Sequence, residues 1–268
     1  MSADVEILEP VGPSKGRIVL VHIYPREMSI YGDLGNTRVL ARRLTWHGYT
    51  CELRRHHPGE EFPINAHIIL GGGGQDSGQA RVEADLDQNA DILRSLAGDG
   101  CPMLMICGMY QLFGNAFITA DGTRLPGLGI FDVTTVGNEA RMIGPVVMDT
   151  PHGRIVGYEN HSGATMLSPG QKPFGRVLHG HGNNLQDGTE GAIVDQVYGT
   201  YLHGPILPAN PQFADALIAA GVARGLGRVF EPAEVDDSLS DAARERQISR
   251  LLSGSDKRHR TSGQARGV

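Results

Sequence analysis

Cys107 ends the apolar run Met103-Leu104-Met105-Ile106 and is followed by Gly108-Met109-Tyr110-Gln111. This pattern puts a cysteine at a strand-to-helix junction, where a side chain projects from the top of a parallel sheet. The helix N-terminus that follows carries partial positive charge and free N–H groups, both of which favour a thiolate. Gly108 allows the sharp turn and leaves its own N–H facing a developing oxyanion. A cysteine taken alone is more often an inert core residue, and Cys51 and Cys101 read that way. For Cys107 the local pattern leaves both readings standing. A cysteine nucleophile also needs a base. Tyr198-Gly199-Thr200-Tyr201-Leu202-His203 ends on an imidazole immediately before Gly204-Pro205 turns the chain. His161, in Tyr158-Glu159-Asn160-His161-Ser162, is a second candidate; His22, His47, His56 and His57 read as surface or satisfied core residues. The Gly71 to Gly74 run supplies unhindered amides suited to an oxyanion hole, with a flexible turn as the plain alternative. It is not a phosphate loop, because no Lys-Ser/Thr follows.

These residues need a scaffold that brings strand ends together. Arg17 to Ile23, Tyr49 to Arg54, Ala66 to Leu70 and Met103 to Ile106 read as strands, the first apolar enough to be buried on both faces. Gly35 to His47 and Arg81 to Ala97 between them have helical periodicity, and the segment from Gly108 to Ala120 also reads as a helix. Strand–helix alternation of this kind gives an α/β fold with a mostly parallel sheet and flanking helices. Beyond Gly127, alternating segments broken by Gly, Pro and Asn read as antiparallel strands extending that sheet, and Ala192 to Leu202 as a strand pair or one long strand. Pro211 to Arg224 reads as a helix capped by Asn210, and Ser240 to Leu252 as another. Residues 1–252 therefore form one domain, and the Ser/Gly/Lys/Arg-rich stretch 253–268 reads as a disordered basic tail.

Composition narrows the function. The 268 residues are 40% hydrophobic and 20% charged, an ordinary soluble profile, and the net charge of -6 argues against nucleic acid as a partner. Three cysteines without C-x-x-C spacing suggest neither a disulfide framework nor a metal site, and a reducing, cytoplasmic compartment fits best. The acidic N-terminus is not a signal peptide, and no apolar run approaches the ~20 residues of a membrane span.

Taken jointly, Cys107-Gly108-x-x-Gln111, the glycine-rich strand end upstream and Leu202-His203-Gly204-Pro205 downstream resemble the class I glutamine amidotransferases of the cobyric-acid-synthase (CobB/CobQ) type. Within that group, Ile23 to Asn36 is similar to the N-terminal signature of GatD-type subunits of lipid II isoglutaminyl synthases, as are Gly72-Gly73-Gly74-Gln75-Asp76 and Tyr158 to Gly163. The likeness runs from about Arg17 to Arg224. It implies a single class I amidotransferase-like domain that hydrolyses glutamine through a cysteine thioester. Cys107 would be the nucleophile and His203 the base, with Gly73 and Gly108 as oxyanion donors. Arg141 would pair with the α-carboxylate of glutamine, an exposed edge-strand residue being its plainer reading, and Gln111 would line the same pocket. The ammonia would pass to a separate Mur-ligase-like synthetase of the MurT type, which amidates the D-glutamate α-carboxyl of lipid II to D-isoglutamine. No ATP-binding loop is present here, so ATP is expected on the partner and no cofactor or metal on this chain.

Two departures stand out. His203 is followed by Gly-Pro, where many class I enzymes have His-x-Glu with the carboxylate orienting the imidazole. The missing acid must come from elsewhere in the fold or from the partner; Asp33 and Asn36 read as caps of the first helix. Met105 and Met109 flank the nucleophile where the class often has glycine, so Met109 could narrow the pocket or alter the turn. The rival functions are a stand-alone glutaminase or cysteine hydrolase, an amidotransferase for a cobyrinate-like acceptor, and a non-catalytic interaction module.

Overall fold

The computed structural model describes residues 4–262. Strands β1 (Asp4–Leu8), β2 (Arg17–Ile23), β3 (Thr50–His56), β4 (Ile68–Gly71) and β5 (Met103–Ile106) alternate with helices α1 (Leu34–Trp46), α2 (Asp76–Gln88) and α3 (Ala90–Gly98). The short α4 (Gly108–Phe113) leads into β6 (Ala116–Ile118), β7 (Arg124–Pro126) and a long hairpin of β8 (Val133–Thr150) and β9 (Gly153–Leu167). Strands β10 (Gly175–His179), β11 (Thr189–Glu190), β12 (Ala192–Val194), β13 (Val197–Thr200) and β14 (Leu202–His203) follow, and helices α5 (Ile206–Ala209), α6 (Pro211–Leu226) and α7 (Ser238–Ser262) close the chain.

The main sheet has the order β1-β3-β2-β4-β5-β13-β12. Its centre, β3 through β13, is parallel, and only the edge strands β1 and β12 run antiparallel. All but the first residue of β2 are buried, as its unbroken apolar run requires of a strand covered on both faces. Helices α1 and α6 pack on each other and on β2, and α2 packs on α3 and α4. The expected α/β class and mostly parallel sheet are therefore present. Of the antiparallel strands beyond Gly127, β12 extends this sheet at its edge, while most of the others form a second sheet, β11-β10-β8-β6-β7, with β9 joining β8 to β14. The chain passes from one sheet to the other at Tyr201: β13 pairs with β5, and β14, directly after it, pairs with β9.

Several local expectations need correction. The helix expected over 81–97 begins at Asp76 and breaks at Asn89, which leaves helical geometry at φ -96 and ψ 6 while its side-chain amide and its N–H both bond Asp85 O, at 2.8 and 3.1 Å. The helix expected to reach Ala120 stops at Phe113, because Gly114 is extended and the β-forming Ala116–Ile118 pairs with β7 and β8. Strand β1, not among the expected strands, is held on β3 by pairs of Arg55 with Asp4 and Glu6. Asn210 occupies the cap position of α6 without a side-chain cap bond; its amide instead bonds both backbone polar groups of Val156. Finally, α7 continues through Ser262, so the polar stretch from 253 begins inside a helix with no proline to end it, and residues 263–268 lie outside those described.

Candidate active site

Four neighbouring strands of the sheet, β2, β4, β5 and β13, deliver the reactive groups from adjacent C-terminal ends. Cys107 follows β5 with φ 50 and ψ -105, a conformation unfavourable for a residue with a Cβ and so one that the surroundings must impose. Its N–H is held by Thr200 O at 2.8 Å, and its carbonyl starts α4 by accepting from Gln111 N at 3.0 Å. The thiol thus stands at a strained elbow above the first turn of a helix. Met105 and Met109 are fully buried, and a methyl added to Gly71 would lie 2.9 Å from each side chain. The two methionines fill the space this glycine leaves beneath the elbow.

His203 ends β14, with only 2% of its surface exposed. Its Nδ1–H donates to Asp33, at 3.0 Å from Oδ1 and 3.1 Å from Oδ2. The acid missing beside His203 in sequence is therefore supplied within this chain, from the loop between β2 and α1. Asp33 does stand at the cap position of α1, but makes no side-chain cap bond. Asn36 likewise does not cap: its Oδ1 accepts from Leu207 N at 2.9 Å, tying the segment after His203 to the helix that begins beside Asp33. Burial works against a charged imidazole, but the hydrogen bonds and negative charge of Asp33 and Cys107 push His203 up to about 10. Its Nε2 has no nitrogen or oxygen hydrogen-bond partner among the described residues. Tyr31 packs edge-on against the ring at 4.9 Å.

The glycine run after β4 threads between these groups. A methyl on Gly73 would come within 2.7 Å of His203 Cε1, 3.1 Å of Cys107 Cβ and 3.2 Å of Asp33 Oδ2. Only glycine lets the backbone pass there. The Gly73 N–H itself donates to Asp33 Oδ2 at 2.7 Å, so it is already committed and is not the free donor expected from the sequence. Gly74 N lies 3.1 Å from the place where a Gly108 methyl would be, and has no backbone acceptor among the described residues. Gly108 N–H is one of the free amides of the first turn of α4. Gly74 and Gly108 thus have the amides left uncommitted beside Cys107.

Beside Cys107 lies a cavity of about 420 Å³. Arg141, Gln111, His161 and Gly74 all line it. Arg141 sits in the irregular stretch of the hairpin between Gly137 and Met142, and its guanidinium donates to Asn160 Oδ1 at 2.6 Å and Tyr31 Oη at 3.4 Å. No carboxylate among the described residues pairs with it, so it has capacity for an anionic ligand. Gln111 is committed at both ends, accepting from Gln79 Nε2 at 2.8 Å and donating to Tyr201 Oη at 3.2 Å. It therefore sets the cavity wall through a network. His161 stacks on Tyr201 at 3.6 Å and donates Nδ1–H to Gly163 O. His22, His47 and His56 are buried with hydrogen-bonded partners, while the buried His57 ring has no hydrogen bond among the described residues and faces Asp4 Oδ2 at 3.8 Å. Burial pushes the thiols of Cys51 and Cys101 up to about 12 and about 11, as inert core residues require. A second cavity of about 450 Å³ lies along Arg54 to Asn65, and no cysteine, serine or threonine lines it among the described residues.

Asp33, Gly74 and Gln79 are the site residues that sequence reasoning did not assign. For Asp33 the signal was present: an acid in a β2–α1 loop lies at the same sheet edge as every other reactive group.

The sequence of residues 19–211 matches the model of the CobB/CobQ-like glutamine amidotransferase domain. The lipid II isoglutaminyl synthase (glutamine-hydrolyzing) subunit GatD of Staphylococcus aureus is 36% identical over 87% of this chain and 96% of its own length. The GatD subunit of Streptococcus pneumoniae is 33% identical over 82% of this chain and 86% of its own. A solved structure described as a glutamine amidotransferase superposes with a TM-score of 0.54 at 13% identity, covering 75% of this chain and 98% of that one, which speaks for the fold alone. A strained cysteine above a helix N-terminus, with an aspartate-held histidine beside it, is thus set in a sequence that belongs to the CobB/CobQ-like glutamine amidotransferase family.

Proposed function

We propose that this chain is the glutaminase subunit of a two-component synthase that amidates the D-glutamate α-carboxyl of lipid II to D-isoglutamine. The observation that carries the glutaminase half is the convergence of His203 and Asp33 on Cys107, which shares one cavity with the carboxylate-free Arg141. Arg141 holds the α-carboxylate of glutamine, which extends the carboxamide towards the thiol. With His203 as the imidazolium, Cys107 attacks as the thiolate. The C–S bond forms, and the carbonyl oxygen takes the negative charge between the N–H groups of Gly74 and Gly108. Collapse breaks the C–N bond as His203 Nε2–H gives its proton to nitrogen, releasing ammonia and leaving the glutamyl thioester. Water then loses a proton to His203 and attacks the thioester, and glutamate leaves with the thiolate restored. Asp33 keeps Nδ1 protonated and Nε2 towards the sulfur throughout.

The acceptor half rests on likeness to the GatD subunits. Activation of the acceptor carboxylate by ATP belongs to a Mur-ligase-like partner of the MurT type, and the pair works in the cytoplasm. No helix among the described residues is long and apolar enough to cross a membrane. The test is reconstitution of the two subunits with lipid II and ATP. Cys107→Ala removes amidation driven by glutamine and leaves that driven by ammonium salts intact. If glutamine still supports amidation by the variant, Cys107 is not the nucleophile. If neither nitrogen source works with the native pair, the acceptor is wrong.

A further inference from the structure

Gln79, in the first turn of α2, is 1% exposed and lines the cavity beside Cys107. Its amide is held from one side only. Nε2 donates to Gln111 Oε1 at 2.8 Å, while Oε1 is buried and has no hydrogen-bond partner among the described residues. The orientation follows from the network behind it. Gln111 gives its own Nε2–H to Tyr201 Oη, which lies 2.6 Å from Thr165 Oγ1, and in this arrangement the Gln111 carbonyl faces Gln79. A buried acceptor with nothing to accept carries a full desolvation cost. A ligand that brings an N–H to it recovers that cost.

We infer that Gln79 Oε1 accepts an N–H of the substrate carboxamide and is the group that distinguishes glutamine from glutamate. The location favours the carboxamide over the α-ammonium. A methyl on Gly108 would lie 2.8 Å from Met28 Cε and 3.1 Å from both Gln79 Nε2 and Gly74 N. The Gln79 amide thus stands beside Gly74 and Gly108, and Gln79 and Gly74 line the same cavity as Cys107, at the reacting end of the substrate. Donors face the carbonyl oxygen there, and Gln79 supplies an acceptor for the nitrogen. Glutamate places a second carboxylate oxygen where glutamine has NH2, so lone pairs meet the Gln79 carbonyl. A site built around such a bond rejects the analogue that lacks the donor far more strongly than a merely shaped pocket does. This inference rests on the glutaminase reading.

The test is equilibrium binding of glutamine and of glutamate by calorimetry to the full chain carrying Cys107→Ala, which cannot turn over. In that background, Gln79→Met weakens glutamine roughly 10- to 100-fold and changes glutamate by no more than about twofold. Gln79→Glu keeps an acceptor, and Gln111 re-pairs by turning its amide over, since Tyr201 Oη can donate. That variant holds glutamine within about fivefold of the reference and weakens glutamate further. Equal weakening of both ligands by Gln79→Met overturns the inference in favour of an ammonium contact or general damage, and no change in either overturns it outright. Absence of glutamine binding by the Cys107→Ala reference overturns the glutaminase reading and this inference with it.

Discussion

Asp33→Asn isolates the acid that adjacency in sequence does not supply. In the native site Asp33 Oδ2 accepts from Gly73 N–H at 2.7 Å, and both oxygens face His203 Nδ1. An asparagine must keep its oxygen on the Gly73 N–H, because its NH2 there would meet a donor. The NH2 then faces His203 Nδ1, which has to accept, and the ring proton moves to Nε2 against the thiol. The base is thereby turned to the wrong tautomer. The rise of His203 from 6.5 to about 10 corresponds to roughly 5 kcal/mol of preference for the imidazolium. If the carboxylate supplies about half of that, its loss alone costs a factor approaching 10². Tautomer reversal in a triad of this kind costs about 10⁴. The kcat for glutamine hydrolysis should therefore fall by about 10² to 10⁴, while ammonium-dependent amidation by the reconstituted pair stays unchanged. The alkaline limb should also move. Native His203 loses its proton only as pH rises through about 10, and without the carboxylate that limb shifts to lower pH. A kcat within tenfold of native, with the limb in place, would refute the assignment and return the search for the acid to the partner subunit.

Arg141→Met should raise the KM for glutamine by about 10- to 100-fold and alter kcat only a few fold, since the α-carboxylate contact is the same in the ground and transition states; an unchanged KM in steady-state hydrolysis would assign Arg141 to the surface. Glu190 offers a test of stability. It is fully buried, accepts from Tyr201 N at 2.7 Å and Thr200 Oγ1 at 2.8 Å, and is pushed by burial from 4.5 up to about 8. The native state thus holds this proton more tightly than the unfolded chain. Its contribution is complete below about pH 4.5 and lost as pH rises towards 8, at about 1.4 kcal/mol per pH unit and about 4–5 kcal/mol in all. Glu190→Gln should remove this part of the slope in urea unfolding compared at pH 5 and pH 8, and equal slopes in variant and native protein would show that Glu190 is ionised in the fold.

The parts of the site visible in the sequence are those in which one local pattern carries the information. The run from Met103 through Gly108 marks a buried strand, a turn and a helix start, and the structure has β5, the elbow and α4 there. His203 before Gly-Pro was legible in the same way. The second sheet was not, because alternation in β8 and β9 identifies strands without saying which neighbours they take, and the sheet change at Tyr201 leaves no local mark. The helix ends at Asn89 and Phe113 were hidden because the features that mark them, a side-chain bond closing the last turn and a strand pairing, lie outside helical periodicity. The oxyanion assignment failed on one residue for a related reason. Gly73 and Gly74 are equivalent as letters, and only the contact with Asp33 shows which amide is already used.

The acid was hidden by the longest separation in the site, 170 residues between Asp33 and His203. An acid two residues beyond the histidine would be fixed by the strand that carries both. Here the pair exists only when the loop after β2 is docked at the sheet edge, and that docking uses the loop itself: Ile30 N donates to Gly73 O at 3.1 Å, and Asn36 holds the backbone at Leu207. The same loop lines the substrate cavity with Ile30 and Tyr31, and Tyr31 reaches both the His203 ring and Arg141. On the proposed mechanism, the elements that cover the substrate, bind its carboxylate and orient the base are therefore joined through one loop. A displacement of this loop would then loosen the imidazole as it opens the cavity, a coupling through Asp33 that a local His-x-Glu pair would not require.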